Sequence, residues 1–81
     1  YTLLMIGHSD VVPAGAESAW RFPPFSAEIA DGRVWGRGSN DCKMLVATEI
    51  FVLRRLARLA RLGLPLRGEL RVAIGADEEA G

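Results

Sequence analysis

Two short, mostly apolar runs lie near the two ends of the chain, at residues 3–6 and 70–74. Gly7 bounds the first run and Gly75 bounds the second. Apolar runs of this length between turn signals are typical of strands, and consecutive apolar residues are typical of a strand covered on both faces. We therefore predict two core strands, the first of them buried on both faces.

A long helical pattern precedes the second run. Between Met44 and Leu62, apolar residues recur at spacings of three and four, and arginines lie on the opposite side. The predicted buried stripe is Val46, Ile50, Leu53, Ala57 and Ala60, with Leu45, Val52, Leu56 and Leu59 beside it, and the arginine stripe is Arg54, Arg58 and Arg61. We predict that the helix begins near Asp41 and ends at Gly63 and Pro65. We interpret the arginine stripe as a solvated face in preference to an anion site.

The segment between the first strand and the helix predicts a loop followed by a hairpin. Residues 14–24 show no sustained period and contain Trp20 and Phe22, which we expect to pack onto the core as a lid. Asp31-Gly32 lies between two short alternating runs, and this dipeptide favours a two-residue hairpin turn. A helical crossover between two strands also predicts that the core strands are parallel.

Residues that carry chemistry follow both strands. His8 and Asp10 come after the first apolar run, and Asp77-Glu78-Glu79 follows the second. Parallel strands bring their carboxyl ends to one edge of a sheet, and the glycines before the helix allow Asp41 to reach that edge. We therefore expect one histidine and several carboxylates to converge in a cleft, where Asp10 accepts a hydrogen bond from His8.

Imidazole and carboxylate ligands suit zinc, and a catalytic zinc site also needs a water molecule and a nearby base. Neighbouring residues in an extended segment point in different directions. Of the adjacent Glu78 and Glu79, one could therefore bind the metal while the other transfers a proton. The alternative interpretation of both motifs is structural. In that case His8 and Asp10 form a polar turn, and the acidic triplet is a surface turn.

Length and composition limit these alternatives. A chain of 81 residues forms at most one small domain, and we expect it to be part of a longer protein because it begins within an apolar run without Met. Ten Lys plus Arg residues balance ten Asp plus Glu residues, which favours neither nucleic acid nor a membrane as a partner. The single cysteine, Cys42, excludes an internal disulfide and is interpreted as packing. The expected compartment is the cytoplasm.

Together these motifs resemble the M20 metallopeptidases. That family includes aminoacylase, acetylornithine deacetylase, succinyl-diaminopimelate desuccinylase and glutamate carboxypeptidase. The resemblance covers nearly the whole chain and rests on Gly7-His8-Ser9-Asp10-Val11-Val12-Pro13, Trp20 with Pro24-Phe25, Asp31-Gly32, Gly36-Arg37-Gly38, Asp41-x-Lys43 and Asp77-Glu78-Glu79-x-Gly81. It implies that residues 1–81 are part of a catalytic domain, an α/β three-layer sandwich with a mostly parallel sheet, one β-hairpin and one long helix. Met44 replaces the small residue common in the family, so we expect different packing in the first helical turn.

The resemblance also implies a role for each site residue. His8 would be a ligand of one zinc ion, Asp41 would bridge two zinc ions, and Glu79 would be a ligand of the second. Asp10 would orient His8, and Glu78 would be the general base that passes a proton from water to the leaving amine. A complete site would hold two zinc ions, with cobalt or manganese as alternatives. A non-proline cis peptide bond is expected between Asp41 and Cys42.

By the same resemblance, the complete protein would hydrolyse an amide bond in an N-acyl amino acid or a small peptide. The remaining aspartate and histidine ligands and a smaller dimerisation domain are expected beyond Gly81, so the parent would be a homodimer and the isolated chain inactive. Acylase, desuccinylase and dipeptidase activities stay open. The alternative hypothesis is a non-catalytic α/β scaffold or interaction module that retains a partial metal site.

Overall fold

The computed structural model describes residues 1–80, which form one long helix, one parallel pair of strands and one hairpin. The elements are β1 (Thr2–His8), a 3₁₀ turn (Glu17–Ala19), β2 (Glu28–Ala30), β3 (Arg33–Trp35), α1 (Met44–Arg61) and β4 (Glu69–Gly75). This confirms the predicted α/β class. The Cα atoms span 52 × 32 × 13 Å, and the smallest extent corresponds to one helix layered on one sheet. Residues 1–80 thus form two layers of the expected three, and Gly81 of the acidic motif lies outside the described residues.

β1 and β4 pair in parallel over their whole length, from Thr2 opposite Glu69 to His8 opposite Gly75. This pairing confirms the predicted crossover, because the hairpin and α1 lie between the two strands in the chain. Just past the last pair, the N–H of Ser9 donates to the carbonyl oxygen of Gly75 at 2.9 Å. The loops that follow the two strands therefore start side by side at one edge of the sheet.

Other described residues cover only one face of this sheet. Met5 and Gly7 of β1 point towards α1 and are half-buried and buried, whereas Leu4 and Ile6 on the opposite face are 51% and 66% exposed. The prediction that β1 is covered on both faces is therefore wrong for residues 1–80. The physical reason is that α1 is the one helix packed on the sheet in this part of the chain.

The buried stripe of α1 also differs from the predicted one. Its least exposed residues are Val46, Glu49, Val52, Leu56 and Leu59. The predicted stripe is wrong at its centre, since Ile50 and Leu53 are 42% and 38% exposed. Glu49 is only 4% exposed because Gly7 has no side chain: a Cβ atom at Gly7 would lie 3.0 Å from Oε2 of Glu49. The spacing of apolar residues cannot predict that a glutamate is buried, because that burial depends on a glycine in another element.

α1 begins later than predicted, at Met44, because Asp41 and Cys42 have non-helical backbone angles of φ −124°, ψ 96° and φ −135°, ψ 34°. The peptide bond between Asp41 and Cys42 is cis, as the resemblance implies. The expected polar side-chain cap is not formed by the described residues. Instead, the N–H of Lys43 donates to the carbonyl oxygen of Gly38 at 2.8 Å.

The helix ends at a glycine, as predicted. Gly63 has φ 93°, its N–H donates to the carbonyl of Ala60, and the N–H of Leu64 donates to the carbonyl of Leu59, both at 3.1 Å. This pair of bonds is a Schellman motif, which satisfies the last helical carbonyls.

The predicted arginine stripe of α1 is exposed. Among residues 1–80, no helix has both the length and the apolar composition needed to cross a bilayer.

The hairpin and the loop before it pack on each other. β2 and β3 are antiparallel, and the turn residues Asp31 and Gly32 have φ 54° and 71°, the positive values that a type I′ turn needs. Phe22 meets the ring of Trp35 edge-on at 5.4 Å between centroids. Trp20 lies 4.8 Å below the guanidinium of Arg37. The expectation of a lid over the core is thus corrected, because Phe22 contacts Trp35 of the hairpin and Trp20 contacts Arg37, which follows the hairpin.

Two glycines of the complete protein give a matched test of the helix end. Among the atoms of residues 1–80, a Cβ atom at Gly63 or at Gly75 would meet none within 4 Å other than those of its chain neighbours, but only Gly63 has a positive φ. Gly63→Ala should therefore lower the free energy of unfolding by about 1 kcal/mol, and Gly75→Ala should not lower it. Urea denaturation of both variants measures this difference. An equal loss at Gly75 would contradict the importance of the backbone angle.

Candidate metal centre

Three segments bring titratable side chains to the carboxyl edge of the sheet. They are the end of β1, the turn before α1 and the turn after β4, and they contribute respectively His8 with Asp10, Asp41, and Glu78 with Glu79. All five predicted site residues therefore meet here. His8, Asp41 and Glu78 line an open cleft of about 620 Å³, whose apolar wall includes Ile6 and Leu45.

The ring of His8 is oriented by the backbone of Asp10. Nδ1 of His8 lies 2.9 Å from the carbonyl oxygen of Asp10, and a carbonyl can only accept, so Nδ1 carries a proton and donates it. The other ring nitrogen, Nε2, faces Oδ1 of Asp41 at 3.0 Å and Oε2 of Glu78 at 3.6 Å. Nε2 is therefore the nitrogen that is presented to a ligand in the cleft.

The surroundings of His8 favour a positive charge on its ring. Burial lowers the pKa of His8, but the carbonyl of Asp10, the carboxylate of Asp41 and the negative charges of Glu78 and Asp10 outweigh burial. The net result is a pKa above the ordinary histidine value. A metal cation between Nε2 and the same carboxylates would take the place of that proton.

Asp10 joins the loop after β1 to the acidic turn after β4. Its carboxylate accepts the backbone N–H of Glu79 at 2.8 Å and that of Glu78 at 3.2 Å, and it lies 3.4 Å from Nδ1 of His8. The N–H of Glu79 lowers the pKa of Asp10 below its ordinary value; burial opposes this, and the N–H of Glu78 adds to it. We expected the carboxylate to accept the hydrogen bond from His8, and the closest acceptor is instead the carbonyl oxygen.

The donor set fits a zinc-type cation. Residues 1–80 contain two groups of possible metal ligands, and within each group the ligand atoms all lie within 4.8 Å of one another. One group is His8, Asp41 and Cys42, and the other is His8, Glu78 and Glu79. Ligand atoms of a tetrahedral zinc site are about 3.3 Å apart. The separation of 3.0 Å from Nε2 of His8 to the carboxylate of Asp41 is close to that value. Carboxylate-rich sets of this kind also accept manganese or cobalt.

The sequence predicts only a packing role for Cys42, a neighbour of His8. The thiol of Cys42 is buried, and Sγ accepts the backbone N–H of His8 at 3.3 Å and donates to the carbonyl oxygen of His8 at 3.2 Å. The position of Cys42 directly after Asp41 was the available signal. The contact with His8, 34 residues earlier, depends on the fold.

Comparisons with known proteins give a consistent family assignment. The model of peptidase family M20/M25/M40 matches residues 4–81. The chain is 43% identical over 76 residues to the succinyl-diaminopimelate desuccinylase of Maricaulis maris, 39% over 79 residues to that of Wigglesworthia glossinidia brevipalpis, and 41% over 73 residues to that of Parvibaculum lavamentivorans. These matches cover 94%, 98% and 90% of the chain but 18%, 20% and 17% of the relatives, so the chain spans about a fifth of their length. No solved structure matches the chain significantly.

The double contact of Asp10 predicts an effect on metal affinity. In the complete protein, Asp10→Asn should weaken zinc binding by about 10- to 100-fold, because an amide offers one acceptor to two backbone N–H groups and leaves the acidic turn less ordered. Competition with a chromophoric chelator measures the affinity. Asp31→Asn, which removes the same charge from the exposed hairpin turn, is the control and should bind zinc normally. Equal affinities in the two variants would contradict the role of Asp10.

Proposed function

The chain belongs to peptidase family M20/M25/M40, and from this premise we propose that the complete protein is a metal-dependent hydrolase that cleaves an amide bond. The observation that carries the proposal is the orientation of His8. Its Nδ1 is tied to the carbonyl of Asp10, and its Nε2 faces carboxylates from two other segments of the chain. Such an arrangement leaves one ring nitrogen for a metal and stabilises the ring through the other.

We propose that His8, Asp41 and Glu79 are metal ligands and that a complete site holds two zinc ions, with Asp41 between them. Further ligands would come from parts of the complete protein outside this chain, which spans about a fifth of its relatives. When bound, the metal would polarise the substrate carbonyl and make water easier to deprotonate. Glu79 suits a ligand role because its backbone N–H is held by Asp10 at 2.8 Å and its side chain is half-buried.

Glu78 is proposed as the general base. Its side chain is 62% exposed, lines the cleft and lies 3.6 Å from Nε2 of His8. In hydrolysis, the carboxylate of Glu78 takes a proton from water as the water oxygen attacks the amide carbon. The same carboxylate then delivers that proton to the nitrogen as the C–N bond breaks, which gives a carboxylic acid and an amine. Asp10 supports this step because its carboxylate holds the N–H of Glu78 at 3.2 Å.

An N-acyl amino acid is the proposed substrate class. The relatives reported above are succinyl-diaminopimelate desuccinylases, so N-succinyl amino acids are the first substrates to test, followed by N-acetyl amino acids and dipeptides. Cleavage releases a carboxylic acid and an amine, and either product can be measured.

We also propose that the complete protein is a homodimer.

Metal analysis combined with an activity assay tests the proposed function directly. The complete protein should contain about two zinc ions per chain and hydrolyse at least one member of the substrate panel. A chelator should abolish hydrolysis, and added zinc should restore it. A protein without metal and without hydrolysis would contradict the proposal and support the alternative of a non-catalytic scaffold.

Two variants separate the proposed base from the proposed bridging ligand. Glu78→Gln should lower kcat by about 10²- to 10⁴-fold while metal content stays normal, because proton transfer is lost and the shape of the side chain is kept. Asp41→Asn should lower metal content first, because a ligand has lost its charge. Elemental analysis and initial rates measure both effects. Normal turnover in Glu78→Gln, or normal metal content in Asp41→Asn, would remove that residue from its role.

A further inference from the structure

One edge of β1 is not paired with a strand among the described residues, and Cys42 lies at the end of that edge. β4 occupies the other edge, where the N–H of Ser9 donates to the carbonyl of Gly75. Because successive N–H groups of a strand point to opposite sides, the N–H of His8 points away from β4. At this place the thiol of Cys42 satisfies both backbone groups of His8, at 3.3 Å for the N–H and 3.2 Å for the carbonyl.

The thiol therefore occupies the position of a neighbouring strand at the residue that carries the imidazole. Cys42 and His8 are each 8% exposed, so water has little access to these backbone groups. Backbone groups without a partner at such a buried place would cost free energy. Cys42 is also covalently bonded to Asp41, whose Oδ1 lies 3.0 Å from Nε2 of His8. One side chain thus connects the backbones of two residues whose side chains meet in the cleft.

We infer that Cys42 is a positioning residue, which sets the distance between the imidazole of His8 and the carboxylate of Asp41 and is not itself a metal ligand. This inference rests on the metal-dependent function proposed above. Sγ is already engaged with both the N–H and the carbonyl oxygen of His8, at 3.3 and 3.2 Å, so its hydrogen bonds go to the backbone that carries the imidazole. The rival role is a thiolate ligand, since Sγ lies within 4.8 Å of the ligand atoms of His8 and Asp41.

The complete protein and four variants distinguish these roles. Cys42→Ser keeps a hydrogen-bond donor and acceptor. Cys42→Val keeps about the same volume but has no donor or acceptor, and Cys42→Ala loses both the volume and the hydrogen-bonding group. Thr48→Ala is the matched control, because it removes a hydroxyl that bonds the carbonyl of Met44 in the first turns of α1, away from His8. Zinc affinity is measured by chelator competition, hydrolysis by initial rates, and folding by circular dichroism.

We expect Cys42→Val and Cys42→Ala to weaken zinc binding by about 10-fold or more, in the range found for residues that orient metal ligands. Cys42→Ser should recover most of that loss, and Thr48→Ala should match the wild-type protein. Wild-type affinity and rate in both Cys42→Val and Cys42→Ala would overturn the inference. Because the effect is the loss of two hydrogen bonds at His8, a serine variant as weak as the valine variant would also overturn it.

Cobalt substitution gives a second measurement, which remains decisive if the valine and alanine variants do not fold. Cobalt bound to the wild-type protein should show no thiolate-to-cobalt charge-transfer absorption in the near ultraviolet. A band of this kind that disappears in Cys42→Ser would overturn the inference, because Cys42 would then be a ligand. Failure of the proposed function has a different signature: the wild-type protein itself would bind no zinc and hydrolyse no amide, which would overturn both proposals together.

Discussion

Parallel pairing between β1 and β4 runs over seven residue pairs, and the last pair sets His8 opposite Gly75. Everything at the site depends on this register, because the chain leaves both strands at the same edge of the sheet. Asp10 lies two residues past the end of β1, and Glu78 and Glu79 lie just past the end of β4. A side chain of ordinary length can then bridge the two loops. α1 connects the strands, and the turn before it delivers Asp41 to the same edge.

The site combines one imidazole with several carboxylates, and its electrostatics follow from how exposed each group is. Asp41 and Glu78 have side chains 72% and 62% exposed, so water screens the repulsion between their charges. Asp10 is less exposed, and its charge is stabilised by two backbone N–H groups of the acidic turn. Burial of the His8 imidazole, which is 10% exposed, lowers its pKa, but the carbonyl of Asp10, the carboxylate of Asp41 and the charges of Glu78 and Asp10 outweigh burial and raise the pKa. The cleft is thus arranged to receive positive charge at Nε2.

Local patterns predicted most of the secondary structure, because each depends on residues close together in the chain. Asp31-Gly32 predicts its turn through positive backbone angles, and Gly63 predicts the helix end for the same reason. The positions predicted for the buried side of α1 include four of its five least exposed residues, Val46, Val52, Leu56 and Leu59. They miss Glu49, which is buried over Gly7 by a contact between residues far apart in the chain. Within residues 1–80, α1 covers only one face of β1, and a run of apolar residues does not say which elements pack on either face.

At the candidate site, the sequence by itself determined which residue types are available and that two strand ends carry them. It also determined that they could meet, because a helical crossover makes the strands parallel. Only the tertiary structure decided which atoms face each other: the carbonyl of Asp10 binds Nδ1 of His8, while its carboxylate binds the N–H groups of Glu78 and Glu79. The thiol of Cys42 likewise meets the backbone of His8 only in the folded chain. The physical reason is that hydrogen bonds are directional and short in range, so their partners depend on the positions that packing gives to distant segments.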